Sequence, residues 1–108
     1  MKKVIFGNVN LPILSRAETI KECVEKVKEY LIAECREEIR ENDEVLRELH
    51  EELAMGELDD YTINAIRLHK DANEETEDMI ETINKCKSVA ALNDLELYGE
   101  GWMVQVIT

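Results

Sequence analysis

Carboxylates are the side chains whose number and spacing in this sequence could support chemistry. Residues 34 to 84 contain 18 Asp and Glu against 5 Lys and Arg, a net charge of −13. Within this stretch, Glu37-Glu38-x-x-Glu41 and Glu57-x-x-Asp60 place carboxylates three residues apart, which brings them to one face of a helix. Carboxylate oxygens are hard ligands that suit magnesium. Magnesium binding is therefore one hypothesis for this stretch.

The two motifs resemble the E-E-x-x-E and E-x-x-D elements of the all-α nucleotide pyrophosphohydrolases. The resemblance covers at most residues 34 to 84. It implies that these carboxylates hold magnesium on a nucleoside triphosphate, and hence that the protein is a magnesium-dependent enzyme. The residues also leave a simpler interpretation open, because the same E-x-x-E spacing occurs at Glu34-x-x-Glu37 and Glu74-x-x-Glu77 in a chain with 19 Glu.

Other catalytic residue types are sparse. His50 and His69 are the two histidines, and both are predicted to lie on charged, solvated helix faces. The sequence has no Glu-x-x-His pair, no Gly-rich phosphate loop and no nucleophile elbow. Cys23, Cys35 and Cys86 are odd in number and widely spaced, which favours neither a disulfide framework nor a zinc site. The leading prediction is therefore a protein with no catalytic residue, no metal and no cofactor.

Two long amphipathic helices are predicted to carry the carboxylates. Ser15-Arg16-Ala17-Glu18 has the S-x-x-E form of a capping box, so the first helix is expected to run from about residue 16 to 54. Gly56 suits the position after a helix, and Asp59 or Asp60 can cap a second helix over about 60 to 90. A turn this short predicts an antiparallel helical hairpin. Apolar residues recur at steps of three and four along the first helix: Ile20, Val24, Val27, Leu31, Cys35, Ile39, Leu46, Leu49 and Leu53.

A polar layer is predicted halfway along this hairpin. The apolar stripe of the first helix is interrupted at Asn42, and the second helix is almost entirely polar from His69 to Asp78. If residues equally distant from the turn face each other, the stretch around Asn73 lies beside residues 40 to 43. Both helices then lose their apolar stripe at the same level.

The same register bears on the magnesium hypothesis. It separates Glu38 and Glu41 from Glu57 by roughly 20 Å, at about 1.5 Å of helix per residue. It places them beside Glu75 and Asp78 instead. The two elements of the pyrophosphohydrolase-like pattern would then not share one site.

The chain ends are predicted to form a small antiparallel β-sheet, which makes the fold class α+β. Lys2–Phe6 favours a strand, and Gly7–Pro12 favours an irregular segment after it. The segments 95–98 and 102–107, joined by Gly99-Glu100-Gly101, are typical of a β-hairpin. Both faces of this sheet carry apolar residues, so the chain is expected to form a homodimer or a higher homo-oligomer. The predicted interface residues share one face of the last strand: Trp102, Val104 and Val106.

Length and charge limit the possible partners. A chain of 108 residues suits a single domain, here with an acidic arm over about 34–84 and a base from 1–33 and 85–108 that is close to neutral. Such acidity repels nucleic acid and membrane surfaces and attracts basic proteins. The sequence has neither a signal-peptide run nor an apolar stretch of membrane-spanning length. A cytoplasmic location is expected.

These features predict a non-enzymatic interaction protein whose acidic arm engages a basic surface of a partner protein. The arm displays 18 carboxylates over roughly 34 Å, where duplex DNA shows about 20 phosphates. In size and acidity the chain resembles phage-encoded inhibitors of bacterial defence or DNA-processing enzymes, which would place it in the cytoplasm of a bacterial host. A helical structural or assembly subunit and the magnesium-dependent enzyme are the alternatives. The residues predicted to bind the partner are Glu38, Glu41, Glu74, Glu75, Glu77 and Asp78.

Overall fold

The computed structural model describes residues 1–56, 59–95, 97 and 99–108, and it confirms the predicted α+β fold class. Two long helices pack together as a hairpin, and the N- and C-terminal segments form a three-stranded antiparallel sheet. The elements in chain order are β1 (Lys2–Asn8), β2 (Leu11–Ala17), α1 (Ile20–Met55), α2 (Asp60–Lys85), α3 (Val89–Asn93) and β3 (Trp102–Ile107).

The chain divides into two compact units. Residues 1–32 and 82–108 form one, which we call the sheet unit, and residues 33–81 form the other, which we call the acidic unit. The arm predicted from charge spans about 34–84. All 18 Asp and Glu of that arm lie in the acidic unit together with its 5 Lys and Arg, whereas the sheet unit has 7 Asp and Glu against 8 Lys and Arg.

The sheet of the sheet unit has the strand order β2-β1-β3. Directly opposite residues share a face, so the register defines an inner and an outer face. Val4, Phe6 and Val104 lie on the inner face and are buried. The Phe6 ring meets Tyr30 of α1 edge-on at 5.3 Å between ring centroids. The outer face consists of Lys3, Ile5, Gly7, Pro12, Leu14, Arg16, Met103, Gln105 and Ile107.

Helical side chains supply most of the rest of this core. Lys28 of α1 is also nearly buried, and its Nζ donates to the Asn84 carbonyl oxygen at 3.0 Å. A cation there satisfies a carbonyl in the last turn of α2 and complements the helix dipole. Among the described residues of the sheet unit, the other buried side chains are Cys23, Val24, Val27, Leu31, Ile83 and Leu92 from helices, Ala17 from β2, and Cys86 from the segment between α2 and α3. Cys23, Cys35 and Cys86 are all free thiols.

The acidic unit has a thinner core. Among its described residues, the buried apolar side chains are Leu46 and Ile66, beside the buried Thr62. Asp59 caps α2, as predicted, because its Oδ1 accepts from the Tyr61 N–H at 3.0 Å. Two helices alone bury little apolar surface, so charge and polar contacts weigh more in this unit than in the sheet unit.

The predicted helix start at residue 16 is wrong. Ser15 lies in β2, opposite Val4. Within the segment 7–12, which was expected to be irregular, only Val9 and Asn10 form a turn, and the other four residues pair with one another in β1 and β2. The helix begins at Ile20, where Thr19 Oγ1 accepts from the Glu22 N–H at 3.1 Å and Glu22 Oε2 accepts from the Glu18 N–H at 3.1 Å. The capping motif in use is therefore T-x-x-E, four residues beyond the S-x-x-E motif.

The predicted C-terminal hairpin also differs from the structure. α2 ends at Lys85, and the separate short helix α3 follows with Ser88 as its N-cap, whose Oγ accepts from the Ala91 N–H at 3.1 Å. Within the predicted strand 95–98, Leu95 and Leu97 lie in turns, whereas Glu96 and Tyr98 lie outside the described residues. β3 pairs with β1, so the sheet takes two strands from the N-terminal segment and one from the C-terminal segment.

Candidate functional site

The predicted polar layer is present in the acidic unit and is built on Asn42. Its Nδ2 donates to the His69 carbonyl oxygen at 2.7 Å and to Asn73 Oδ1 at 2.9 Å. Asn73 Nδ2 in turn donates to Asp43 Oδ1 at 2.9 Å. These bonds join α1 to α2 and confirm the register derived from the two interrupted apolar stripes.

The expectation that both histidines are simply solvated is wrong for His69. His50 is exposed, but His69 is half-buried and its Nδ1 hydrogen-bonds to Asn42 Oδ1. Because Asn42 Nδ2 is directed at two acceptors, its Oδ1 faces the imidazole and can only accept. His69 Nδ1 therefore carries the proton. The sequence pattern located the layer but could not show that a histidine closes its network.

An open groove of about 360 Å³ lies beside this layer. Glu38 and Glu41 supply two carboxylates to it from α1, and the small side chains Ala72 and Thr76 line it from α2. The Thr76 hydroxyl donates to the Ala72 carbonyl oxygen at 3.0 Å and so bonds to its own helix. The full lining is Glu38, Glu41, Asn42, Val45, Ala72 and Thr76.

This lining suits the side chain of a lysine or arginine. Val45 and Ala72 offer apolar surface to the aliphatic stem of such a side chain, while Glu38 and Glu41 offer carboxylates to its charged head. Small residues on α2 leave room for such a side chain, and no pattern in the sequence indicated that Ala72 and Thr76 would line the same groove as these carboxylates.

The cation nearest in sequence to the groove carboxylates is held elsewhere. Arg40 donates from Nε to Glu37 Oε2 at 3.0 Å and from Nη1 to Glu44 Oε1 at 2.8 Å. Its hydrogen bonds lower the pKa of Glu37, and the pKa of Arg40 itself is raised by the hydrogen bond to Glu37 and by the charges of Glu37 and Glu44. Arg40 therefore forms ion pairs with both Glu37 and Glu44 on its own helix.

Cys35 lies half-buried on α1 close to the same charges. Burial raises the pKa of its thiol most, and the negative charges of Glu38 and Glu34 raise it further. A thiol kept protonated in this way is a weak nucleophile. Cys35 is therefore not a candidate for catalysis.

The structure separates the predicted carboxylates into two sets. Glu38 and Glu41 line the groove, whereas the four predicted carboxylates of α2 are exposed and are not part of its lining. The four exposed carboxylates are Glu74, Glu75, Glu77 and Asp78.

The residues of the magnesium hypothesis are only partly described. Glu57 lies outside the described residues, so the second motif is described only at Asp60. Over residues 1–56, 59–95, 97 and 99–108, no group of three or more His, Cys, Asp or Glu side chains could hold a metal ion.

The residues predicted for the oligomer interface belong to the inner sheet face. Val104 is buried, and its N–H and carbonyl oxygen bond to the side chain of Asn93 at 2.6 and 3.0 Å. Trp102 is half-buried and its Nε1 donates to the Leu92 carbonyl oxygen at 2.8 Å, and Val106 is also half-buried. Alternation along β3 identified two faces, but it could not show which of them the helices cover. Self-association itself stays a prediction.

Comparison of the chain with protein families, with curated proteins and with solved structures finds no match in any of the three.

Measured by length and hydropathy together, none of the helices in the described part of the chain could cross a membrane.

Proposed function

We propose that this protein is a non-enzymatic interaction protein whose acidic unit binds a basic surface of a partner protein. The observation that carries this proposal is the concentration of 18 Asp and Glu against 5 Lys and Arg in one compact unit of 49 residues, 33–81. The sheet unit is close to neutral, so the acidity is not a property of the whole surface. A unit with net charge −13 steers basic partners toward itself and repels nucleic acid.

The groove supports a more specific form of this proposal. A lysine or arginine from the partner enters between α1 and α2, with its charged head at Glu38 and Glu41. The exposed carboxylates of α2, from Glu74 to Asp78, then extend the contact along the helix. The inserted side chain fixes the position of the partner on the acidic unit, and the surrounding carboxylates attract the partner over a longer range.

The spacing of charge favours a partner surface that otherwise binds nucleic acid. Eighteen carboxylates along roughly 34 Å of two paired helices come close to the phosphate density of duplex DNA, about one per 1.7 Å. An inhibitor that occupies a nucleic-acid channel, of the kind encoded by phages, is the form of the function that this density supports best.

Matched charge variants test the proposal. Glu74→Gln/Glu75→Gln/Glu77→Gln removes three charges from the acidic unit, and Glu18→Gln/Glu25→Gln/Glu29→Gln removes three from the sheet unit. In capture from bacterial lysate, a partner should be retained at low salt by the wild type and by the sheet-unit variant. The acidic-unit variant should retain it about tenfold more weakly or worse, and moderate salt should release it from all three. If retention of the partner depends neither on salt nor on the acidic-unit substitutions, the proposal is refuted.

The groove is tested without changing charge. Ala72→Leu fills part of the groove, and Ala33→Leu adds the same side chain at an exposed position of α1. The first variant should weaken capture of the same partner, and the second should leave it unchanged. If Ala72→Leu binds as the wild type does, the groove has no part in recognition, although the acidic unit as a whole still can.

A further inference from the structure

The groove of the acidic unit continues as a stripe of residues along α1. Glu38, Glu41 and Val45 line the groove, and residues three and four apart lie on one face of a helix. The same spacing leads on to Glu48 and Glu52, which line a second open cavity of about 490 Å³. We call this surface the acidic stripe. Its members are Glu38, Glu41, Val45, Glu48, Glu52 and Met55.

The stripe of α2 on the same side of the hairpin is uncharged and mostly apolar. Ala72 and Thr76 line the groove, and the helical spacing that joins them continues through Leu68 to Tyr61. Leu68 is 64% exposed and Tyr61 is 78% exposed. We call this surface the apolar stripe. Its members are Tyr61, Ala65, Leu68, Ala72, Thr76 and Met79.

The cations of the acidic unit lie away from both stripes. Arg36, Arg40 and Arg47 are spaced by four and seven residues and so share a face of α1. At about 3.6 residues per turn, that face lies across the helix from the acidic stripe. Arg67 and Lys70 are three residues apart and share a face of α2 that lies, in the same way, across from the apolar stripe. The side of the hairpin that carries the groove therefore presents carboxylates and apolar side chains without Lys or Arg between them.

Charge selects what can cover this side of the hairpin. Exposed leucine and tyrosine side chains in a unit with few buried ones are apolar surface of the kind that marks an interaction site. The four carboxylates of the acidic stripe run alongside them, and they favour a cationic occupant. A second copy of the acidic unit would bring a further net charge of −13 and would be repelled, as would nucleic acid.

The backbone of the occupant must be satisfied without help from this surface. The backbone groups of α1 and α2 bond within their own helices, so they offer no partners to an extended chain. A helix satisfies its own backbone and packs into the groove between two others, with apolar side chains at every third or fourth position. We propose that the two stripes bind an amphipathic helix of the partner, which sets its apolar face on the apolar stripe and its Lys and Arg side chains on the acidic stripe. This inference rests on the proposed function and makes its partner specific.

The carboxylates set the length of the bound helix and the spacing of its cations. The acidic stripe runs for roughly 21 Å from Glu38 to Glu52, at about 1.5 Å per residue. The partner helix therefore has about 14 to 18 residues in contact. Its cations recur at steps of three and four along one side of its apolar face, because the carboxylates that they meet have that spacing.

A pair of synthetic peptides tests the proposal. The first is a helix-forming peptide of about 18 residues with leucine along one stripe and lysine along the neighbouring stripe, and the second has the same composition in an order that removes both stripes. Calorimetric titration at about 0.15 M salt should show the first peptide binding at least about tenfold more tightly. Far-ultraviolet circular dichroism should show a gain of helix on mixing. No binding of the first peptide up to about 1 mM, or equal binding of the two, would overturn the proposal.

Apolar variants locate the peptide on the hairpin. Leu68→Gln should weaken binding about tenfold or more, since it removes exposed apolar surface from the middle of the apolar stripe. Ile63→Gln is the matched control, because Ile63 is 43% exposed but shares the face of Arg67 on the other side of α2. It should bind within about twofold of the wild type. If Leu68→Gln binds as the wild type does, the peptide does not lie on the apolar stripe and the proposal fails.

Charge variants separate this inference from the proposed function. Glu48→Gln/Glu52→Gln removes two charges from the acidic stripe, and Glu74→Gln/Glu77→Gln removes two outside both stripes. A whole partner reaches the second pair as well, but a single helix on the stripes does not, so the first double variant should weaken peptide binding several-fold more than the second. Equal weakening would mean that net charge alone holds the peptide, which overturns the bound helix and leaves the proposed function standing. The proposed function itself fails only if capture of a partner from lysate is also independent of the acidic unit.

Discussion

At the scale of single residues, Asn42 decides how the two helices of the acidic unit face each other. An apolar residue at this position would continue the stripe of α1 but would tolerate sliding of one helix along the other by a turn. The amide bonds to two different residues of α2 instead. A single polar residue in an apolar seam commonly fixes register at some cost in stability.

Replacing Asn42 therefore tests the layer. Asn42→Leu should destabilise the protein by about 1 to 3 kcal/mol, because His69 Nδ1 and Asn73 Oδ1 lose their partner. Asn64→Leu, at an exposed position of α2, should change the free energy of unfolding by less than about 0.5 kcal/mol. Urea denaturation followed by circular dichroism measures both. If Asn42→Leu is as stable as the wild type or more stable, the polar layer does not stabilise the protein.

The hydrogen bonds between Arg40 and Glu37 lead to a prediction about how stability depends on pH. Its hydrogen bonds lower the folded-state pKa of Glu37, so this carboxylate contributes stability above its unfolded pKa and loses that contribution as pH falls through the folded pKa. The pair is exposed, so the contribution is small. In Arg40→Gln the Glu37 pKa should rise toward its ordinary value, as carboxyl chemical shifts in an NMR titration will show. Arg47→Gln, further along α1, should leave it unchanged.

At the scale of elements, the start of α1 shows what a local motif can and cannot predict. The sequence contains S-x-x-E at Ser15 and T-x-x-E at Thr19, and the two are equally good capping boxes. Tertiary structure chooses between them, because β2 pairs with β1 through Ala17 and leaves Thr19 as the first residue free to cap. A motif predicts that a helix begins nearby, but strand pairing decides at which residue.

The two capping candidates are separated by a pair of alanine variants. Thr19→Ala should destabilise the protein by about 1 kcal/mol through loss of the bond to the Glu22 N–H. Ser15→Ala, in the middle of β2, should cost less than about 0.5 kcal/mol because Ser15 caps no helix. Chemical denaturation compares the two. A larger effect at Ser15 would contradict the observed helix start.

The strands were harder to predict from sequence than the helices. β2 contains Pro12, which argues against a central strand, and the structure accommodates it at a sheet edge where its missing N–H is not needed. β3 was predicted, but its partner was not, because Leu95 and Leu97 favour strand structure locally while β1 is distant in sequence. The groove shows the same limit. Helical periodicity placed Glu38 and Glu41 on one face of α1, but it did not predict that small residues of α2 would line the groove with them.

At the scale of the whole molecule, charge and core are distributed in opposite ways. The acidic unit carries most of the charge but has few buried apolar side chains, whereas the sheet unit is nearly neutral and holds most of the core. Like charges at positions three and four apart on a helix destabilise it. The acidic unit is therefore expected to be the less stable of the two. Under the proposed function, a surface kept acidic for binding opposes stability, which is a common conflict at functional sites.

Salt dependence of stability tests this balance. Raising sodium chloride from about 10 mM to about 0.2 M shortens the screening length from about 30 Å to below 10 Å, so the melting temperature of the protein should rise. Neutralising Glu74, Glu75, Glu77 and Asp78 to Gln and Asn should raise the melting temperature at low salt and flatten its dependence on salt, because fewer like charges remain to be screened. The same four changes in the sheet unit, at Glu18, Glu25, Glu29 and Glu100, should flatten it less. Thermal unfolding by circular dichroism gives both slopes. A melting temperature that falls with salt would mean that attractive ion pairs, rather than repulsion, dominate the acidic unit, and its charge would then be structural rather than held exposed for a partner.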